Sequence, residues 1–323
     1  GARSTVPALY AQAKQVVILA VGEMLPVAMV FQSLAEPFAR VPITIVSDYI
    51  LPKWVSSDTL VLALDYAGSS EQVLSTYEEA AGRRSRLLSI SIESDLARQA
   101  RRFRAAHVTL DYGAPPRAAF YYMLGCLAAL GRKLDLVDIR ESTVTESAVL
   151  CRSLLQNMGL DVAQYQNSAK QLAEKMVNRQ IVIIGSGPLI GVAKRWQITL
   201  ATTSKLIATS SALGEFNDTI INGLRTQTKL TDTPLVVMLQ SKYDHTRNKL
   251  QQTLTYQVAQ AKKFLYEQIF MHPSGSSFGE IVLSSLLGDI VSYYVCLLTN
   301  RDPSFLEATT YIRERLASQK EEV

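Results

Sequence analysis

Short apolar runs, each bounded by turn-forming residues, recur through the first half of the chain at positions 16–21, 43–46, 60–64, 87–90 and 108–110. They are brief, rich in Val, Ile and Leu, and do not alternate strictly with polar residues. A strand with one wet face alternates, so unbroken runs predict strands covered on both faces, as in a parallel sheet. Between them, segments 71–81 and 96–104 carry apolar residues at helical spacing. Strand alternating with helix predicts the α/β class.

After Pro115 and Pro116, residues 117–130 read as a long apolar helix, and helical periodicity continues over 146–158 and 162–177. The polar stretch 132–145 predicts a seam, dividing the chain into domains at 1–140 and 141–323. A second series of strands follows at 180–184, 206–209, 235–239 and 264–270, with helices at 248–262, 278–298 and 304–317. Its opening I-V-I-I-G-S-G-P resembles the earlier V-V-I-L-A-V-G-E, with Ile181 standing 165 residues after Val16. Two doubly wound domains related by duplication, each with its own core, are the economical expectation.

Composition narrows the functions this frame can serve. A chain of 323 residues with net charge +4 and no long basic run does not carry a nucleic-acid footprint. Cys126, Cys151 and Cys296 have no paired or metal-type spacing, so reduced thiols and no metal are expected. The first residues lack the basic, apolar, small-residue order of a signal peptide, and no apolar stretch approaches the roughly 20 uninterrupted residues of a membrane span. The expectation is a soluble, cytoplasmic protein that meets neither membrane nor nucleic acid.

Open parallel sheets bind ligands beyond the carboxyl ends of their strands. The segments to inspect are therefore 20–26, 65–71, 112–117, 185–188 and 213–223. They contain or adjoin a series of recognisable strings: S-D-Y-I-L-P at 47–52, D-Y-A-G-S-S-E-Q at 65–72, G-A-P-P-R-A-A at 113–119, A-K-R-W-Q at 193–197, G-E-F-N-D-T-I-I-N-G at 214–223, and G-D-I-V-S-Y-Y-V with a later D-P-S between 288 and 304. In this order they resemble the sugar isomerase (SIS) domain family, in its bifunctional phosphoglucose/phosphomannose isomerase branch.

The resemblance implies two SIS domains, each a flavodoxin-like, doubly wound parallel sheet in a three-layer α/β/α sandwich. It implies a homodimer whose cleft is shared between subunits, a sugar or sugar phosphate as ligand, and no cofactor. Members of the family interconvert aldose and ketose: a glutamate moves a proton between C1 and C2 through an enediolate, and a histidine from the neighbouring subunit helps open the ring. Such chemistry needs a carboxylate of tuned pKa and a group that exchanges protons near neutrality.

At the matching positions this chain differs. Thr202, in Ala201-Thr202-Thr203-Ser204-Lys205, replaces the base, and a threonine hydroxyl does not exchange a proton reversibly near pH 7. Asp218, after Asn217, replaces the histidine, substituting a group of pKa about 3.9 for one of about 6.5. Arg313 aligns with a lysine and remains charged. The glycine- and serine-rich phosphate turn becomes Gly22-Glu23-Met24-Leu25-Pro26, and the second phosphate loop becomes Asp65-Tyr66-Ala67-Gly68-Ser69-Ser70. Glycine lets backbone N–H groups approach phosphate and serine donates a hydroxyl; Glu23 and Met24 do neither. Were Asp65 to face a phosphate dianion, repulsion would reach roughly 4 kcal/mol per charge pair at contact. Ser69, Ser70 and Arg117 remain as anion-binding candidates, with Arg117 opening a helix after two prolines.

Three readings stay open. One is a divergent isomerase with its base relocated to Glu215 or Asp218. The second is a binding or regulatory pseudoenzyme. The third groups Glu23, Asp65 and Asp218 as a carboxylate cluster providing an acid and a base. Gly185-Ser186-Gly187 has the form of a phosphate turn, although such turns often only lead a strand into a helix. His107, His245 and His272 read as structural or surface groups, and Tyr293 and Tyr294 as core or dimer contacts.

Overall fold

The computed structural model describes residues 7–224, 233–271 and 274–319; His272 lies outside them. The first half contains β1 (Gln15–Ala20), α1 (Leu25–Ala35), β2 (Ile43–Val46), β3 (Thr59–Leu64), α2 (Glu71–Gly82), β4 (Arg86–Ser91), α3 (Asp95–Arg102), β5 (Ala106–Thr109) and α4 (Phe120–Lys133). After α5 (Glu141–Asn157) and α6 (Ser168–Met176) come β6 (Ile181–Gly185), α7 (Ile190–Thr203), β7 (Ala208–Ala212), α8 (Leu213–Asp218), β8 (Leu235–Gln240), α9 (Thr246–Lys262), β9 (Leu265–Phe270), α10 (Ser277–Leu298) and α11 (Glu307–Ser318). All nine apolar runs read as strands are strands.

The strands form two wholly parallel sheets, ordered β2-β1-β3-β4-β5 and β7-β6-β8-β9. Counted from each sheet's first strand the orders are 2-1-3-4-5 and 2-1-3-4, so the halves share one winding scheme. Residue parity explains the unbroken apolar runs. In the first sheet Val16, Ile18, Leu60 and Leu62 face one core, while Val17, Leu19, Val61 and Ala63 face another under α2 and α3. In the second sheet Ile181, Ile183 and Val237 face inward and Val182, Ile184 and Val236 pack beneath α8 and α9.

Beside the outer cluster that each half keeps to itself, the halves share a third. Inward-facing residues of both sheets belong to one continuous apolar cluster, filled by α1, α4, α6, α7 and α10. The polar seam expected at 132–145 is likewise partly core: Leu134, Leu136, Val137 and Ile139 are buried between α4 and α5. Helix α10 is, by length and composition, apolar enough to cross a membrane, but most of it is buried in this shared core, against α5, α6 and α7. It is the central strut of the molecule.

Two close approaches lock α7 into that core. A Cβ on Gly191 would stand 2.8 Å from the Val30 backbone nitrogen of α1, and one on Gly288 of α10 would stand 2.4 Å from the Trp196 indole. The indole Nε1 donates to the Ser284 carbonyl at 2.8 Å. Helices α1, α7 and α8 carry no period in the sequence reading. Helix α1 is buried on most sides, which erases the polar stripe that marks an amphipathic helix. The segment read as helical from 162 begins as a helix only at Ser168, where the Asn167 side chain accepts from the Lys170 N–H at 3.1 Å.

Candidate active site

The chain leaves β1 through Val21 and turns sharply at Gly22, whose φ of +53° is readily adopted only by glycine. A single 3-10 turn, Gly22–Met24, feeds α1. Met24 points into the core, while the space where a Cβ on Gly22 would lie is open, with nothing within 4 Å. Glu23 is half-buried, and its Oε2 is buried without a hydrogen-bond partner among the described residues. Burial pushes its carboxyl above the ordinary range, against the opposing pull of the Arg195, Arg117 and Arg313 guanidiniums. These cations come from α7, from the turn before α4, and from α11.

Asp65, after β3, does not act as a free charge over the loop. It is buried, and its Oδ2 accepts the Ser70 N–H at 2.6 Å. Its carboxylate therefore organises the loop that leads into α2. Tyr66 donates through its hydroxyl to the Tyr112 carbonyl and accepts the Ala114 N–H at 3.2 Å, tying this loop to the one carrying Arg117. Ala67 and Ser70 are half-buried and Ser69 is exposed.

Arg117 lies in the 3-10 turn Pro116–Ala119. Its carbonyl accepts from Arg195 Nη2 at 2.8 Å. The same nitrogen reaches Asp289 Oδ1 and Oδ2 at 3.0 and 3.1 Å, and the guanidinium lies 4.7 Å from the Phe120 ring centroid. Asp289 also accepts from the Tyr121 hydroxyl at 2.6 Å and from Thr199 Oγ1 at 3.3 Å. Burial opposes the charge on Arg195, but Asp289, Tyr121 and Glu23 together outweigh it and raise the guanidinium pKa further. This network crosses the junction: Arg117, Phe120 and Tyr121 belong to the first half, Arg195, Thr199 and Asp289 to the second. Between Arg117 and the segment Ser304–Glu314 opens a cleft of about 580 Å³.

The matches to known proteins bear on this junction. Residues 165–316 match the family model for the bacterial phospho-glucose isomerase C-terminal SIS domain. That stretch is similar to a SIS domain. It is 28% identical over 283 residues to a bifunctional phosphoglucose/phosphomannose isomerase of Caldicellulosiruptor bescii, covering 87% of this chain and 83% of that one. It is 26% identical to the namesake protein of Aquifex aeolicus, covering 85% and 81%. In fold it is similar to tagatose-6-phosphate ketose/aldose isomerase from Escherichia coli, with TM-score 0.70, 14% identity and coverage of 92% and 86%. It is also similar to the C-terminal domain of glucosamine-fructose-6-phosphate aminotransferase from Francisella tularensis, with TM-score 0.68, 14% identity and coverage of 91% and 87%.

Within this frame, the remaining positions singled out in the sequence fall into two groups. Thr202 sits in the last turn of α7, seven residues after Arg195 and hence on the same helix face. Its Oγ1 donates to the Ile198 carbonyl at 3.0 Å. Asp218 ends α8, beyond the far end of β7, and is exposed. Thr202 precedes β7 and Asp218 follows it, at the end of α8. Glu215 is exposed and accepts from Ser211 Oγ at 3.0 Å, and Asn217 Oδ1 accepts from Thr255 Oγ1 at 2.8 Å. Both anchor α8. Among the described residues no three acids, these included, stand close enough to hold a metal ion.

The SIS turn of the second half is filled from within. Gly187 has φ +50°, and a Cβ there would lie 2.7 Å from Asp244 Oδ1. Asp244 Oδ2 accepts from Ser186 Oγ and Gln252 Nε2, each at 2.8 Å, and from the Ser241 N–H at 3.3 Å. His107 pairs with Ser89 Oγ at 2.8 Å, and His245 caps α9 through the Arg247 N–H. Tyr294 is buried with its hydroxyl donating to the Met158 carbonyl, whereas Tyr293 is 43% exposed. Burial pushes all three thiols up, away from reactivity.

Arg195 and Asp289 were not singled out in the sequence reading, although both lie in strings quoted there. Their signal was a charged residue set within an apolar helix, which has to find a buried partner.

Proposed function

We propose that this protein binds a hexose phosphate in the cleft below the carboxyl ends of β1 and β3 and interconverts its aldose and ketose forms. The observation that carries the reading is Arg117. Its backbone is held by Arg195, and no ion pair engages its guanidinium among the described residues. It stands with the Ser69 and Ser70 hydroxyls and the open Gly22 turn at the ligand edge of a parallel sheet. The reaction only relocates a proton and an electron pair within the sugar, so it draws on no redox cofactor.

The same reading makes the working unit a homodimer. The Asp218 segment, exposed at the end of α8, completes the cleft of a second copy. Three unpaired thiols fit a reducing, cytoplasmic setting.

A second reading, binding without turnover, is favoured by Thr202, whose hydroxyl donates to its own helix where the resemblance calls for a carboxylate. Thermal shifts and a coupled assay separate the two. Glucose 6-phosphate, fructose 6-phosphate or mannose 6-phosphate raises the melting temperature, with about 2.7 kcal/mol of stabilisation at a hundredfold excess over Kd, and Arg117→Ala removes the shift. Shift with conversion supports the isomerase; shift without conversion supports the binding protein; no shift with any of the three overturns both.

A further inference from the structure

We propose that Glu23 is the proton carrier of this site, taking over from the family position now held by Thr202. This deepens, and rests on, the reading of the cleft as a hexose-phosphate isomerase site. Four carboxylates stand at positions drawn to attention by the sequence; within one subunit two of them accept hydrogen bonds from neighbouring groups and a third is exposed. Asp65 accepts the Ser70 N–H. Glu215 accepts from Ser211 and lies exposed on α8. Asp218 is exposed beyond the far end of β7. Glu23 alone among them offers a buried oxygen with no partner among the described residues. It does so beside Gly22, whose Cβ position is open while those of Gly68 and Gly187, the other left-handed glycines among the described residues, are occupied, in the field of Arg117 and Arg313.

The chemistry balances without any added reagent. Glu23 as carboxylate removes the C2 proton of the open-chain aldose, and the C2–H electron pair forms the C1=C2 bond as the carbonyl oxygen becomes the enediolate oxygen. Arg117 offsets that negative charge. The carboxylic acid then returns the proton to C1, O1 gains the hydroxyl proton that O2 gives up, and the carbonyl stands at C2. A carboxyl raised by burial and checked by three guanidiniums is suited to holding a proton briefly and releasing it.

The test follows deuterium incorporation from D2O into fructose 6-phosphate by proton NMR, with thermal shift as a parallel readout of binding, on wild type, Glu23→Gln and Glu23→Asp. In the expected result, wild type exchanges, Glu23→Gln still binds but exchanges at least about 100-fold more slowly, and Glu23→Asp recovers part of the rate with its acidic pH limb displaced. A structural role for Glu23 would not move that limb. If Glu23→Gln exchanges at the wild-type rate, the carrier is another group while the isomerase reading stands. If wild type binds without exchanging, Glu23 carries no proton and the binding reading is left. If wild type neither binds nor exchanges, both the site reading and this assignment fall.

Discussion

The turns after β1 and β6 occupy the same place in two sheets of like winding, yet they have been put to opposite uses. Gly187 stands 165 residues after Gly22, the same offset that relates Ile181 to Val16, and each glycine has a left-handed φ followed by a 3-10 turn and a core helix. Over Gly22 the space is open, and the turn carries its own carboxylate, Glu23, with one buried oxygen left unpaired. Over Gly187 the space is taken by Asp244, whose other oxygen accepts three hydrogen bonds. The turn is closed in one half by an internal carboxyl group. In the other half its outer face is open. What differs is the loop after the neighbouring strand: Asp65 bends back onto Ser70, whereas Asp244 reaches across to Ser186.

The harshest test removes the network that holds the Arg117 turn at the junction of the two halves. Asp289→Ala leaves the guanidinium of Arg195, 2% exposed, without its ion-pair partner. A loss of about 3–5 kcal/mol is expected from such a broken buried pair, read as a fall in the denaturant midpoint. A loss below about 1 kcal/mol would mean that the junction does not depend on this network. Next comes Asp244→Ala, which strands the Ser186, Gln252 and Ser241 donors and is expected to cost about 1–3 kcal/mol in the same measurement. The matching change at Glu23 strands no donor, and its cost should be much smaller.

Smaller than the Asp289 loss is the effect of giving each glycine a methyl group. Gly22→Ala meets only the left-handed backbone penalty of about 1–2 kcal/mol, because nothing lies within 4 Å of the new carbon. Gly187→Ala meets that penalty and a carboxylate oxygen at 2.7 Å, so it should be the costlier of the two. Equal thermal shifts for the pair would show that Asp244 moves aside freely and that the second turn is not truly closed.

The strands of both sheets were legible because burial on two faces leaves a run of apolar residues that no other short element requires. Helices α1 and α7 were not, since a helix enclosed on nearly every side shows no polar stripe, and the one charge buried in α7 belongs to Arg195. Arg117 could be found from its place after two prolines at a strand's carboxyl end. Its anchor could not: Arg195 and Asp289 are separated by 94 positions, and no local pattern couples them. Asp65 looked like a charge aimed at phosphate because sequence cannot show that a side chain turns back to an N–H five residues on. The filled second turn was hidden for the same reason, its carboxylate arriving from the loop after β8.

The finest test of the two turns is pH. Burial raises both the Glu23 and the Asp244 carboxyls, so between the ordinary carboxylate range and the raised value the folded chain holds protons that the unfolded chain has released. Stability from these groups is therefore present in acid and lost as pH rises through the folded values. Glu23→Gln removes one such loss without stranding a donor. Its melting temperature should match wild type near pH 4 and lie slightly above it near pH 8, by less than about 1 kcal/mol because the side chain is partly solvated. Asp244→Asn removes a similar loss but puts a buried amide N–H2 at the Oδ1 place, which has no hydrogen-bond partner among the described residues. Its curve should lie below wild type throughout while approaching it as pH rises. Should Glu23→Gln fall below wild type at neutral pH, the Glu23 carboxylate has a stabilising partner, and the open turn would resemble the closed one after all.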